Sequence, residues 1–372
     1  MNGRCMAAMA ALLGLVAIEA QAAVFCIGSE AELRSALATV GSSFDSAPNE
    51  LRLTRRVFFT GTQAFTVQVS GPTGDTVISG GWSAGPNSPC EVQTVDARLT
   101  VLDAQGTSAV LSVRRNSVSG NASPMIRVAN LTLRNGSADS APVGLYVANS
   151  FGRIEVDNLI VHGHRALASQ FLGGVAMTLD ASSHDISLRN SLVYDNIGAF
   201  VGGGSPLASV LFTSLSLNSG RNWYVTNNTL IAGGGESSPV LRIQSDGNFW
   251  VINSVLRGGV AYTSSITGAG AAIDPSVRQL FNNFASAPTT DRATIVSNQG
   301  NTFVDPQLDP ATLALLPTSP LVNAGLGAPP GGVPALDAYG QPRVFGTFID
   351  VGAVELQQAP VLPVRIFGDG FE

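Results

Sequence analysis

The sequence predicts an all-β chain, a parallel β-helix (solenoid) with one short N-terminal capping helix. Three observations carry that expectation. Only 12% of the 372 residues are charged while 41 are Gly, which disfavours long solvated helices and favours strands joined by tight turns. Hydrophobic residues make up 45%, enough for a sizeable core. The third observation is a recurrence: five segments share the order apolar, any, apolar, any, Asn, with a further apolar residue three places on.

At the N-terminus, Arg4, an apolar run from Ala7 to Ile18 and Ala20-Gln21-Ala22 follow the order of a secretory signal peptide, with cleavage expected after Ala22. The run is shorter than the ~20 residues of a membrane span, and no later stretch is long enough, so the mature chain is expected to have no transmembrane segment. Phe25 before Cys26 argues against lipid attachment. Cleavage removes Cys5 and leaves Cys26 and Cys90, an even count that suggests one disulfide in an oxidising compartment; two buried free thiols are the alternative. Next, Ser29-Glu30-Ala31-Glu32 has capping-box spacing, and Leu33, Ala36, Leu37 and Val40 share one helical face. A helix there would cover the raw sheet edge at the start of a solenoid. Thr76–Ile78, Gly80-Gly81-Trp82 and Leu99–Asp103 read as the first coils, with Cys90 placed to pin the cap.

The five repeats are Ile126-Arg127-Val128-Ala129-Asn130, Ile154-Glu155-Val156-Asp157-Asn158, Ile186-Ser187-Leu188-Arg189-Asn190, Trp223-Tyr224-Val225-Thr226-Asn227 and Phe249-Trp250-Val251-Ile252-Asn253. Period-two alternation argues strands, and the spacing between successive Asn residues suits one solenoid coil but is too short for a four-stranded propeller blade. Asn130, Asn158, Asn190, Asn227 and Asn253 are expected to stack as a ladder at one corner, each amide bonding the Asn above and below. The second residue after the Asn is apolar in three units (Ile160, Leu192, Val255), and alternation does not assign its face. Residues 262–293 weaken the repeat and read as containing a long turn. Three divisions follow: residues 1–22 as signal peptide, 23–356 as one β-helix domain, and 357–372 as a Pro-containing tail.

Gly80-Gly81-Trp82, Cys90, Thr100-Val101-Leu102-Asp103 and the Asn-marked coils resemble secreted bacterial right-handed parallel β-helix proteins of the pectin-lyase-like class. Asp305-Pro306, Ser319-Pro320-Leu321-Val322-Asn323-Ala324-Gly325, Asp337-Ala338-Tyr339-Gly340-Gln341-Pro342-Arg343 and Asp350-Val351-Gly352-Ala353-Val354-Glu355 resemble the end of a choice-of-anchor Q type of domain. That family ends in varied anchors or sorting tails; this chain ends Ile366-Phe367-Gly368-Asp369-Gly370-Phe371-Glu372. The resemblance spans nearly all of residues 24–355. It implies the fold and export to the extracellular space or outer cell surface more firmly than any reaction.

All 20 basic residues are Arg and the formal charge is −6, which excludes Lys chemistry and leaves no basic surface for nucleic acid. The lyases of the β-helix class use clustered carboxylates on Ca²⁺ with an Arg or Lys base, and the hydrolases use paired Asp residues and a Gly-His-Gly turn. Neither set is visible: His162-Gly163-His164 reverses the turn and no Asp-Asp pair occurs. No metal or cofactor is expected. Four places after the Asn stand Arg134, His162, Tyr194, Ile231 and Arg257; five places after stand Asn135, Gly163, Asp195, Ala232 and Gly258. Equal offsets put His162, His164, Tyr194 and Asp195 in one stacked outward patch, the only candidate site. A His beside a carboxylate is suited to acid–base work and a Tyr to flanking a sugar, although the same groups also suit a solvated face that satisfies turn backbone. Asp337, Arg343, Asp350 and Glu355 are expected to form an Arg–carboxylate lock on the last coil.

The expected function is a secreted or cell-surface protein, non-catalytic, that binds a polysaccharide or another cell-envelope component. The alternative is a polysaccharide-active enzyme, a lyase or glycoside hydrolase with a non-standard site. An enzyme should show at least three convergent titratable groups on one sheet; a binding protein should show an extended polar or aromatic strip.

Overall fold

Each repeat forms one coil, and the coils stack as parallel sheets. The computed structural model describes residues 22–43, 47–69, 74–85, 88–116, 123–139, 141–169, 174–181, 184–200, 207–214, 220–264 and 274–358. Residues 1–21, which include Cys5 and nearly all of the expected signal peptide, and the tail beyond Gln358 lie outside the described residues. Sheet I holds the strands that lead into each Asn: after Ala23–Ile27, Asn49–Thr54 and Thr76–Gly85 come the first half of Ile126–Arg134 and of Ile154–His162, then Ile186–Arg189, Asn222–Thr226, Asn248–Ile252, Ser276–Leu280 and Thr294–Gln299. Sheet II holds the strands that leave it, among them Val101–Asp103, Leu192–Tyr194, Thr229–Ile231 and Val255–Arg257. Sheet III closes the coil with Phe65–Val69, Leu111–Arg115, Leu145–Asn149, Met177–Asp180, Val210–Thr213, Pro239–Gln244, Gly259–Thr263 and Thr289–Asp291. The repeats pair in the register their alignment predicts: Val128, Val156, Leu188, Val225 and Val251 form one column, and all five are fully buried. Within the described part of 262–293, Ser276–Leu280 and Asn283–Phe284 extend sheets I and II.

Asn is required at the corner for its backbone. Asn130, Asn158, Asn190, Asn227 and Asn253 all have φ between 48° and 60°, the left-handed region that Asn tolerates better than most residues. Gly81, Phe281 and Gly300 also have positive φ at the corresponding bends of flanking coils. At Gly81 a Cβ would lie 2.1 Å from the Thr94 carbonyl, so the close approach of a hairpin demands Gly there. The side chains of the five Asn do not bond one another, which corrects the expected ladder. Asn130 donates to the Gly80 and Thr94 carbonyls, Asn190 to Leu336 and Asn253 to Leu326. The ladder runs one residue later. Leu159 N–H donates to Ser191 Oγ, Ser191 N–H to Asn228 Oδ1, Asn228 N–H to Ser254 Oγ, Ser254 N–H to Asn282 Oδ1, and Asn282 N–H to Asn301 Oδ1. The bend interrupts the carbonyl ladder between coils, and a side chain from the adjoining coil takes the N–H that would be stranded.

The N-terminal end is capped as the sequence predicts. Helix Glu30–Ser42 starts at Ser29, whose hydroxyl accepts from Glu32 N–H at 3.3 Å, and buries Leu33, Ala36, Leu37 and Val40. The Glu32 carboxylate reaches back to Gly28 N–H at 2.6 Å, one residue beyond the usual capping-box partner. Cys26 and Cys90 form a disulfide that ties the first strand of sheet I to the hairpin Ser88–Gln93.

Residues 305–358 form a strap that runs back along the outside of the coils. Gly352 N–H donates to the Asn253 carbonyl, Ala353 N–H to Thr229 Oγ1, and Ala97 N–H to the Ala338 carbonyl. The strap explains the second residue after each Asn, which faces outward and is nevertheless buried. Ile160 and Leu192 pack against Ala97, Ala338, Ala353 and Val354, and Val255 packs against Leu315, Leu321 and Val351. Asp337, Arg343, Asp350 and Glu355 are all buried, but inside the strap rather than on the last coil. Their carboxylates mainly cap backbone: Asp337 accepts from Tyr339, Gln341 and Glu355 N–H, Asp350 from Asn323 and Leu356 N–H, and Glu355 from Phe345 and Asp350 N–H. Arg343 donates to the carbonyls of Asp350 and Gly352, with Glu355 4.0 Å from its Nε. A segment with so little regular structure needs these acceptors for its own N–H groups. Burial pushes the Glu355 carboxyl up to about 7.

The two roles at the corner separate by mutation. Asn228→Ala removes three side-chain hydrogen bonds from a fully buried residue and should destabilise by about 1–3 kcal/mol. Asn158→Gly keeps the left-handed bend and should stay within about 1 kcal/mol of the parent, whereas Asn158→Ala should cost about 1–2 kcal/mol. Urea denaturation of the three variants, with exposed Asn116→Ala as control, checks this; equal losses in Asn158→Gly and Asn158→Ala would contradict the backbone role.

Candidate functional site

Sheet II places His162 beside Tyr194, as their equal offsets predict. Their rings stack with centroids 4.9 Å apart and an interplanar angle of 1°, close to the coil spacing. Each ring therefore spends one face on the other, and Tyr194 also packs against the strap cluster of Ala338 and Ala353. Asp195 is exposed with φ 50°, in the column of Asn135 and Gly163, which also have positive φ. Its carbonyl accepts from Gly163 N–H and its carboxylate pairs with Arg165 at 3.0 Å. No His162–Asp195 hydrogen bond forms among the described residues. Burial, with Arg134 adding to it, holds the His162 pKa below the ordinary value.

His164 departs from the expected patch because it is fully buried. Its Nδ1 accepts from Gly136 N–H at 2.9 Å and its Nε2 lies 3.2 Å from the Leu133 carbonyl, so the neutral ring carries its proton on Nε2. Gly136 and Gly144 make room for it, since a Cβ at either would sit 2.7 Å from a ring nitrogen. Burial pushes its pKa down to about 3, because protonating Nδ1 would both charge a buried ring and break the Gly136 bond. His164 thus serves as a spacer between coils and takes no part in an outward site. Residue 163 reverses the chain with φ 73°, and this turn sends the next side chain inward.

Sheet III carries a different constellation. Two columns face away from the core along it: Tyr146, Thr178, Leu211 and Arg242 in one, and Arg114, Ala148, Asp180, Thr213 and Gln244 in the other; Ala148, Thr178 and Leu211 are nevertheless buried, Thr178 accepting from Gly174 N–H. The Arg114 guanidinium lies 5.4 Å from the Tyr146 ring centroid. Asp180 is half-buried and its carboxyl is pushed up by burial, while Arg114 and Arg221 pull it part of the way back. Asp180, Tyr146, Arg242 and Gln244 make no side-chain hydrogen bond among the described residues, and Arg242 Nε is buried without a partner. On sheet II, by contrast, Arg134 pairs with Asp103 and Arg257 with Glu236, and just beyond it Arg165 pairs with Asp195. Sheet III thus keeps hydrogen-bonding capacity to spare. No group of three metal-ligating side chains occurs among the described residues.

Counting from the Asn missed this face. Tyr146, Thr178, Leu211 and Arg242 share one column but stand at unequal distances from their Asn residues, because the turn between sheets II and III varies in length. The available signal was local alternation, as in Leu145-Tyr146-Val147 and Leu241-Arg242-Ile243-Gln244. The chain matches no family model, no curated protein and no solved structure.

His164 gives stability a pH dependence. Its folded pKa lies below the ordinary value of an unfolded His, so its contribution is complete above about pH 6.5 and is lost as pH falls toward 3. The expected slope is at most about 1.4 kcal/mol per pH unit. Urea titrations between pH 7 and pH 4.5 should show the parent losing stability relative to His164→Gln as pH falls, the raised Glu355 carboxyl acting equally in both; identical slopes would mean that His164 titrates normally.

Proposed function

We propose that the chain is an exported β-solenoid that binds a glycan or a similar hydroxyl-rich cell-envelope polymer along the outer side of sheet III. The carrying observation is the row of Tyr146, Asp180, Arg242 and Gln244, side chains held by a rigid sheet with hydrogen-bonding groups unspent. A polymer with hydroxyls at regular intervals satisfies such a row better than a compact ligand, because the coils repeat every ~4.8 Å. Tyr146 supplies an aromatic surface for the apolar side of a sugar ring. Export rests on the signal-peptide order of residues 1–22 and agrees with the disulfide. The resemblance to pectin-lyase-like and choice-of-anchor Q proteins is compatible with the stacked parallel sheets and supports the same reading.

A second reading, a polysaccharide lyase or hydrolase, is favoured by one feature of the same face. Asp180, Tyr146 and Arg114 are three titratable groups in electrostatic contact, and burial raises the Asp180 carboxyl, the direction that a general acid needs.

A glycan panel presented to the purified mature chain separates the two. Binding predicts retention without products, with retention reduced at least about tenfold in Arg242→Gln and Tyr146→Ala and unchanged in His162→Ala. Catalysis predicts unsaturated or reducing-end products that disappear in Asp180→Asn. Retention lost equally in His162→Ala would move the site to sheet II.

A further inference from the structure

Sheet I has its own outward feature, at the place where the strap crosses it. Residues Gly332–Leu336 of the strap and Val95 of the hairpin wall a groove of about 350 Å³ whose floor holds Arg127, Asp157, Asn158 and Arg189. On either side of this groove the corner Asn amides are occupied by peptide carbonyls: Asn130 donates to Thr94 at 2.9 Å and Asn190 to Leu336 at 2.7 Å. Asn158, the coil between them, is only 7% exposed and donates no side-chain hydrogen bond among the described residues; its Oδ1 is buried without a partner, as are those of Asn130 and Asn190, so its undonated Nδ2 is what sets it apart. It is a buried amide at an open groove, on a rung where its neighbours hold backbone. Asn227 also lacks partners, but it is fully buried and lines no such opening.

The charges in the floor do not balance. Asp157 takes Arg189 on both oxygens, at 2.6 and 3.1 Å, and has Arg127 Nε 3.2 Å away. Arg189 also donates to the Gly331 carbonyl, which leaves its guanidinium fixed. Two guanidinium groups share one carboxylate, and Arg127, with 42% of its side chain exposed, faces solvent. The nearby Glu155 does not make up the difference because Arg153 pairs with it at 2.9 Å. One positive charge therefore remains beside an unsatisfied amide, between apolar walls of Val333, Pro334 and Leu336.

We propose that this groove binds an acidic residue of an extended peptide, with the carboxylate on Arg127 and a peptide group on the Asn158 amide. Peptide is favoured over sugar because the molecule itself shows the fit: the two flanking rungs are filled by backbone of this same chain. The site is separate from the sheet III face and does not depend on it.

The test uses fluorescent, end-blocked seven-residue peptides of Ala and Val with a central Glu, Gln or Lys, titrated against the mature chain. The Glu peptide should bind at least about tenfold tighter than the other two. Arg127→Gln should reduce it to the level of the Gln peptide. Asn158→Asp, which keeps the left-handed bend and adds a repelling charge, should reduce it at least about tenfold. Unchanged melting temperatures would confirm that both variants are folded, and Arg242→Gln on sheet III should leave peptide binding intact. Equal affinity for the three peptides, binding of none of them, full binding by either groove variant, or tighter binding of an oligogalacturonate than of the Glu peptide would each overturn the proposal.

Discussion

The left-handed bend between sheets I and II is the constraint on which the rest of the structure depends. A coil must change direction at the same place in every turn, or its apolar residues would leave the common interior. One residue with positive φ does this, and Asn supplies it five times at φ 48–60°. The bend has a cost, because it takes the following N–H out of the carbonyl ladder. Ser191, Asn228, Ser254, Asn282 and Asn301 answer that cost from the adjoining coil. Backbone conformation and side-chain hydrogen bonding are thus divided between neighbouring positions, and neither can be moved without the other.

The strap follows from the same corner. At a bend the side chains splay, and the second residue after each Asn turns away from the core. Where those residues are Ile160, Leu192 and Val255, apolar surface would face water at ~25 cal/mol for each Å². The strap covers them and lends its carbonyls to Asn190 and Asn253. Its own backbone forms few regular hydrogen bonds, so Asp337, Asp350 and Glu355 act as internal acceptors, and Arg343 holds the carbonyls of Asp350 and Gly352. The resulting buried charges push Asp337, Asp350 and Glu355 upward in pKa, chiefly through burial. The arrangement ties strap integrity to one arginine.

The interior and the cap were legible in the sequence because they depend on local rules. Alternation identified Val128, Val156, Leu188, Val225 and Val251 as one column, and helical spacing identified Leu33, Ala36, Leu37 and Val40. Equal offsets also paired His162 with Tyr194. Alternation broke down where the chain turns sharply. Gly163, with φ 73°, broke the alternation and carried His164 into the interior. It failed again where a partner distant in sequence decided the face, as with Leu192 under Ala338 and Ala353. The ladder lies one residue beyond the repeated Asn; Asn suits both left-handed φ and side-chain bonding, and only geometry separates the two uses.

A solenoid restricts where recognition can occur. Every coil adds one residue to each outward column, so columns tend to fill with groups that satisfy one another. Tyr224 stacks with Trp250 at 6.4 Å and Arg278 lies 4.5 Å over Trp250, so that ring has little face left for a ligand. His162 and Tyr194 are in a similar position on sheet II. An aromatic or charged stripe on a β-helix is therefore weak grounds for a binding surface until its internal contacts are known. The stronger sign is a column whose polar groups remain unspent although the sheet could have paired them. On sheet III, Tyr146, Asp180, Arg242 and Gln244 stand in register beside Thr178, Thr213 and Leu211, and none of the four spends a side-chain hydrogen bond among the described residues. The corner ladder and the strap carboxylates spend their side chains on backbone N–H groups, whereas these four stay open, and that contrast gives the face its functional weight.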